Sequence, residues 1–183
     1  MELKTERLTV RYLEPTDWEG MLELNRDFNA TDMRMYDLPK SSDPDEVRET
    51  TARWAEKTAA GQDFFFAVLL DGKMIGSIVL HGLPGIWMEC GFLFHSADHR
   101  QGYARESLSA VLEWAAQGKH TVFAAGTAIL NRPAARFLEA MGFRRIDAGD
   151  AILHKDEDGN GVPVTVGHYI LHINPGAASG LED

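Results

Sequence analysis

Glu89 stands in a short apolar run that ends at Phe94, and the run gives way to Ser96-Ala97-Asp98-His99-Arg100-Gln101-Gly102-Tyr103-Ala104-Arg105. A carboxylate among apolar neighbours is a candidate proton acceptor, because burial would make it a stronger base. A strand-edge glutamate facing water is the competing reading, and the two stand level. The turn that follows offers a different chemistry. Gly102 opens a stretch whose apolar positions repeat at helical spacing, and the first amides of a helix have no intrahelical acceptor. Such amides, approached past a residue without a Cβ, form a seat for phosphate. His99, Arg100 and Arg105 add donors or positive charge around it. His81 and His95 are further titratable groups near the same run, each better read as structural. Asn131 precedes another helical stretch, where its side-chain oxygen can cap the helix and its amide hydrogens remain for a ligand.

The elements that must position these groups follow from periodicity. Residues 3–13 alternate as a strand, with Leu8, Val10 and Tyr12 on one face. Thr16 to Glu19 has capping-box spacing behind Pro15, and Trp18, Met21, Leu22, Asn25 and Phe28 mark a helix. Residues 30–42 are irregular. Asp43-Pro44 begins a second helix carrying Val47, Trp54, Ala55 and Thr58, which stops at Gly61. Phe64–Leu70 and Met74–Leu80 read as a hairpin through Asp71-Gly72-Lys73, and another strand runs from about Ile86 to Phe94. The helix after Gly102 carries Ala104, Leu108, Val111, Leu112 and Ala115 and ends near Gly118. A short strand at 120–125, a helix after Asn131 ending at Gly142, and strands at 143–146 and 165–173 complete the pattern. A turn-rich link joins the last two strands. This is an α+β domain over residues 1–174, with a flexible tail at 175–183.

Three segments carry a resemblance. Arg100-Gln101-Gly102-Tyr103-Ala104 resembles the pyrophosphate loop of the GNAT acetyltransferase superfamily, with Gly102 and Ala104 in register and His99 where Gln or Arg is usual. Asn131-Arg132-Pro133-Ala134-Ala135-Arg136-Phe137-Leu138-Glu139-Ala140-Met141-Gly142-Phe143 resembles that family's later helix segment. Thr5-Glu6-Arg7-Leu8-Thr9-Val10-Arg11 is similar to the first strand of its Rim-like, ribosomal-protein N-acetyltransferase branch. The resemblance implies a central mixed, mostly antiparallel sheet flanked by helices, and acetyl transfer from acetyl-CoA to a primary amine by direct attack on the thioester. It implies that Phe92, Leu93 and Phe94 pair with the pantetheine arm and supply the oxyanion donor. It places the pyrophosphate on His99, Arg100, Gln101, Gly102, Tyr103, Ala104 and Arg105, with Asn131 as a further contact. Glu89 is then the candidate catalytic base. Relatives that carry Tyr or Ser on the later helix use it as an acid, whereas Leu138 and Ala134 stand there in this chain. Tyr169 is a fallback, and a thiolate can leave without full protonation at neutral pH.

Bulk properties set the outer limits. The chain has 183 residues, 44% hydrophobic and 25% charged, with a formal net charge of −10. That charge argues against nucleic acid as a partner and is compatible with a cationic amine or simply with solubility. No apolar run approaches a bilayer span, and the N-terminus shows no secretory leader. Cys90, the single cysteine, reads as a buried, inert thiol, which fits a cytoplasmic setting. No metal is expected. Asp156 to Gly161 matches the start of a calcium loop, but Gly167 stands where the bidentate Glu belongs. His168 and His172 are about 13 Å apart along one strand. The partners expected are acetyl-CoA and an amine, as a small molecule or a protein N-terminus, bound by a monomer or homodimer. The amine is expected between residues 30–42, with Met33, Met35, Tyr36 and Asp37, and the late hairpin. A CoA-binding module without turnover, or an acyltransferase with a different acyl-CoA donor, remains as the alternative.

Overall fold

The computed structural model describes residues 1–85, 87–118, 120–155 and 160–174. The tail beyond Asn174 and the acidic stretch at 156–159, expected as a turn, lie outside the described residues, as does Ile86 at the expected start of its strand. Eight strands form one sheet: β1 (Glu2–Lys4), β2 (Leu8–Tyr12), β3 (Asp63–Leu70), β4 (Lys73–Gly82), β5 (Trp87–Phe94), β6 (Val122–Ala128), β7 (Arg144–Lys155) and β8 (Gly161–His172). Their order is β1-β2-β3-β4-β5-β6-β8-β7. Only β5 and β6 run parallel, because the chain crosses between them through a helix rather than a tight turn. The helices are α1 (Trp18–Ala30), α2 (Pro44–Ala59), α3 (Tyr103–Gln117) and α4 (Arg132–Ala140). The expected α+β architecture is what forms.

Alternation along the strands divides the interior between the two faces of the sheet. Val10, Phe66, Ile78, Leu80 and Met88 meet Leu108, Val111 and Leu112 of α3 and Leu138 of α4 on one side. Phe65, Ala67 and Met74 meet Met21, Leu22 and Leu24 of α1 and Val47 of α2 on the other. Each large apolar side chain so buried contributes about 1.5–3 kcal/mol relative to exposure. Local signals set the element ends. Asp43 Oδ1 accepts from the N–H groups of Asp45 (2.8 Å) and Glu46 (3.1 Å) at the start of α2. Asp71 and Gly72, with φ of 49° and 83°, make the two-residue turn between β3 and β4, the type whose twist matches antiparallel strands.

Three expectations need correction. Residues 3–13 do not form one strand: the chain turns at Thr5–Arg7, and β1 folds back on β2 with Leu3 opposite Val10. The helix at Trp18 is not capped through Thr16. A short 3-10 turn at Pro15–Asp17 precedes it, and the Glu14 N–H donates to Asp17 Oδ2 at 2.8 Å. Asp17 also takes both arms of the Arg11 guanidinium at 2.7 Å, pinning this turn to β2. The last two strands are far longer than expected, pairing from Arg144↔Ile170 out to Lys155↔Gly161. Most described β7 side chains are exposed, so nothing forced the apolar alternation by which a strand is read.

Candidate active site

The β5–β6 ladder has only three register pairs, Trp87↔Val122, Met88↔Phe123 and Glu89↔Ala124. Beyond them β6 follows β8 to Ala128↔Val166, while β5 follows β4 to Gly76↔Phe94. The two strands therefore part after Glu89 and leave a wedge-shaped gap in the sheet. The His95 N–H donates to Ile75 O at 3.0 Å. By antiparallel alternation, the main-chain groups of Phe92 and Phe94 then face away from β4 and into the gap. Leu93 differs from its neighbours, with main-chain groups directed at β4 and a side chain against the α1–α2 core. The Phe92 ring meets Phe137 of α4 edge-on at 5.0 Å, so α4 closes one wall of the wedge.

At the open end of the wedge, Arg100 (φ 61°) and Gly102 (φ 84°) flank Gln101, both in the left-handed region. Left-handed residues of this kind turn successive N–H groups toward one concavity, the geometry of an anion site. Among the described residues no main-chain carbonyl accepts from the amides of Arg100, Gln101 or Gly102. The first bond into α3 runs from Glu106 N–H to Gly102 O at 3.0 Å, so the amides of Tyr103, Ala104 and Arg105 precede it. The loop is fastened at its start. Asp27 of α1 accepts from Ser96 N–H (2.8 Å) and Ser96 Oγ (2.6 Å), and His99 Nε2 donates to Phe94 O at 3.0 Å. Arg105 reaches Ala140 O at 3.1 Å, joining α3 to the end of α4, while the Arg100 side chain is exposed. Asn131 caps α4 through Oδ1, 3.3 Å from Ala134 N, and keeps its amide hydrogens beyond the end of β6.

The residues that hold the other end of this loop lie in the N-terminal turn, where sequence reasoning saw only a strand. Arg7 Nη1 donates to Gln101 O at 2.9 Å, and the guanidinium lies 4.6 Å above the Tyr103 ring. The Glu106 carboxylate accepts from Thr5 Oγ1 (2.6 Å), Arg7 N–H (2.8 Å) and Arg7 Nε (2.8 Å), with Arg7 Nη2 at 2.7 Å. Burial pushes the Glu106 carboxyl up, but these hydrogen bonds and the Arg7 charge outweigh it and hold it below the usual glutamate range. The segment Thr5-Glu6-Arg7-Leu8 reads in sequence only as the start of a strand, and nothing local names Glu106 as its partner.

Of its two readings, Glu89 takes the one that faces solvent. Met88 and Cys90 fill the α3 side of β5, so alternation turns Glu89 to the other face, where it is exposed. It sits at the closed end of the wedge without a side-chain hydrogen bond among the described residues. Its cross-strand neighbour on β4 is His81, whose Nδ1 lies 3.3 Å from Asp63 Oδ1. His95 instead takes a structural place, its Nδ1 accepting from Ala97 N–H at 3.2 Å. Tyr169 is 2% exposed in the apolar core beside Leu138, away from any solvent-facing acceptor site. Burial, with the Glu89 charge adding to it, pushes the Cys90 thiol up to about 12, so it is inert as a nucleophile.

A cleft of about 590 Å³ lies between the segment after α1 and the outer part of β8, lined by Asn29, Arg34, Met35, Pro39, Val162 and Val164. The segment is fastened to α1: Asn25 Nδ2 donates to Ser41 O (2.8 Å) and Asn29 Nδ2 to Lys40 O (2.7 Å). Asp37 does not stand as a free acidic contact, since it pairs with Lys40 at 2.8 Å.

The family model of the acetyltransferase (GNAT) domain matches residues 7–144. The chain belongs to the GNAT acetyltransferases. A GNAT acetyltransferase from Bacillus anthracis is 25% identical, with a TM-score of 0.75 over 94% of this chain and 98% of that one. RimL, a ribosomal-protein α-N-acetyltransferase solved in complex with coenzyme A, superposes with a TM-score of 0.80 at 15% identity, covering 96% of this chain and 99% of that one. The ribosomal-protein-S5-alanine acetyltransferase from Vibrio fischeri gives 0.75 at 18% identity, covering 94% and 96%. No curated protein matches the GNAT chain by sequence. No described helix is long and apolar enough to cross a membrane.

Proposed function

We propose that this GNAT protein seats the pyrophosphate of acetyl-CoA on the loop at 99–105 and runs the pantetheine arm along the free edge of β5. Acetyl transfer to an amine then occurs at the closed end of the wedge. The observation that carries this reading is the early end of the β5–β6 ladder at Glu89↔Ala124, with the amides of the loop and α3 waiting at its open end. The Phe92 N–H faces the gap and supplies the donor for the carbonyl oxygen as it gains charge, a preorganised role of the oxyanion-hole kind. Glu89 draws the proton from the acceptor ammonium, and the freed amine attacks the thioester. The thiolate leaves unaided by an acid from α4, where Ala134 and Leu138 carry no donor. The acceptor approaches through the cleft between Met35 and Val164, whose Arg34 favours a neutral or anionic group at a distance from the reacting amine. A single cysteine, Cys90, buried in the core, is in keeping with a reducing, cytoplasmic setting.

The experiment is acetyl-CoA turnover by thiol release, with calorimetric titration of CoA in parallel. The wild type binds CoA and releases thiol in the presence of an amine. Glu89→Gln binds CoA within about twofold of wild type but loses turnover by roughly 100-fold, in the range expected for a proton-transfer residue. Wild-type activity retained in Glu89→Gln removes that residue from the mechanism. CoA binding without thiol release in the wild type favours a non-catalytic CoA module instead.

A further inference from the structure

The loop proposed to seat the pyrophosphate is gripped from outside by one side chain. Arg7 Nη1 donates to Gln101 O at 2.9 Å. A trans peptide sets its N–H antiparallel to its C=O, so this bond turns the Gly102 N–H away from the N-terminal turn. Among the described residues that N–H meets no main-chain acceptor. Nothing intrinsic to the chain holds the peptide this way round. Gly102 has φ +84°, and half a turn of the 101–102 peptide would carry it to a negative φ that glycine adopts about as readily. The flipped peptide would present a carbonyl oxygen in place of the amide, and that oxygen repels an anion. The guanidinium is itself fixed on its other side. Nε (2.8 Å) and Nη2 (2.7 Å) both meet Glu106 Oε2, while Oε1 accepts from Arg7 N–H (2.8 Å) and Thr5 Oγ1 (2.6 Å). The guanidinium also lies 4.6 Å from the centre of the Tyr103 ring, and Nη2 stands 3.1 Å from where a Cβ on Gly102 would lie. Glu106 balances the charge of Arg7, so its influence on an anion runs through the loop backbone.

We propose that Arg7 is a positioning residue for the cofactor: it locks the Gln101–Gly102 peptide with the Gly102 N–H toward the phosphate, and so sets what fraction of the protein is competent to bind CoA. This rests on the seating of pyrophosphate proposed above. Apparent affinity scales with the competent fraction, so a seat-facing population reduced to about a tenth weakens CoA binding roughly tenfold. The lock joins two distant segments, since the turn between β1 and β2 carries Thr5 and Arg7 while α3 carries Glu106. Its action depends on the shape of the side chain as well as on its charge. A guanidinium presents one edge to a carboxylate and another nitrogen to a carbonyl at the same time, whereas a lysine ammonium is a single point.

Calorimetric titration of CoA into Arg7→Ala, Arg7→Lys and Arg11→Ala tests this, with a melting temperature for each. Arg11 is the control. It holds Asp17 through both arms at 2.7 Å in the same N-terminal segment, and makes no hydrogen bond or ion pair to the loop among the described residues. Arg7→Ala should bind CoA roughly tenfold more weakly, and Arg7→Lys should fall between it and wild type. Arg11→Ala should bind CoA as wild type does, although its melting temperature falls. Arg7→Lys keeps the charge and carries the test on its own should Arg7→Ala not fold. The direct readout is the Gly102 amide in nitrogen-15 NMR. In wild type it should be a single sharp resonance that moves when CoA is added. In the Arg7 variants it should shift or broaden by exchange between the two peptide orientations, and in Arg11→Ala it should stay in place. CoA binding at wild-type strength in either Arg7 variant overturns the proposal, as does an unchanged Gly102 amide in those variants. An equal loss of affinity in Arg11→Ala shows that general destabilisation was being read, and that also overturns it. Wild-type protein that binds no CoA, or binds it without moving the Gly102 amide, overturns the pyrophosphate seat itself.

Discussion

Gly102→Val separates the proposed phosphate seat from the fold around it. Gly102 has φ +84°, and a Cβ built there would lie 3.1 Å from Arg7 Nη2. A left-handed conformation costs an L-residue about 1–2 kcal/mol, and the branched Cβ of valine puts the cost at the upper end. The guanidinium end could yield, but it is held by Glu106 Oε2 at 2.7 Å and by Gln101 O at 2.9 Å. Disturbing that half-exposed pairing adds about 1 kcal/mol at most. The sum, about 2–3 kcal/mol, is well inside the 5–15 kcal/mol of a typical domain, so the variant folds with its melting temperature lowered by roughly 5–10 °C. The loss at the cofactor is larger in proportion. Loss of one charge-assisted hydrogen bond to phosphate removes about 1.5–3 kcal/mol, which corresponds to roughly a 10- to 100-fold weaker Kd. Gly72→Val is the control, because its φ is +83° with nothing within 4 Å of a built Cβ. It carries the same backbone strain in the β3–β4 hairpin turn, outside the loop. Calorimetric titration of CoA into both variants, with circular dichroism melts, reads the two effects apart. A folded Gly102→Val protein that binds CoA like wild type refutes the phosphate-seat argument. Equal loss of CoA affinity in Gly72→Val shows that strain, not the seat, was being measured.

Other expectations follow from the same geometry. Glu106→Gln should loosen the turn at Thr5–Arg7 and weaken CoA binding several-fold without touching the cofactor; unchanged affinity would show that the loop holds its shape unaided. The Glu106 carboxyl is held below its ordinary 4.5, so its contribution to stability is complete above that pH and is lost as the pH falls through the depressed value. Melting temperature should therefore fall less steeply with acid in Glu106→Gln than in wild type, and parallel acid limbs would contradict this. Cys90, buried and with its thiol pushed up to about 12, should resist maleimide at pH 7.5 in the native protein and react once urea unfolds it; full labelling of native protein would place it outside the core. Arg100→Ala should weaken CoA binding by no more than about 1 kcal/mol, because an exposed charge is well screened; a loss matching that of Gly102→Val would mean that the side chain, rather than the loop amides, carries the phosphate.

The sequence by itself determined what rests on a few adjacent residues. Asp43-Pro44 starts α2, Asp71-Gly72 turns β3 into β4, Asn131 caps α4, and Gly102 breaks the chain just before α3, because capping and left-handed turns are decided by local sterics and short hydrogen bonds. The same local grammar carried the family resemblance, since the loop and the later helix are both read within a dozen residues. What depends on two distant stretches meeting was settled only in three dimensions. The Arg7 N–H and Glu106 are 99 residues apart, and no spacing rule links a turn to a helix face at that separation. Asp63 and His81 meet through hairpin register, which a bulge between Val68 and Leu69 shifts by one residue. The orientation of Glu89 is the clearest case. Alternation along β5 separates Glu89 from Met88 and Cys90, but both faces of this sheet are covered by helices elsewhere. Whether the face bearing Glu89 is buried or open at that one row depends on where α1 and α2 end, and only their packing decided it.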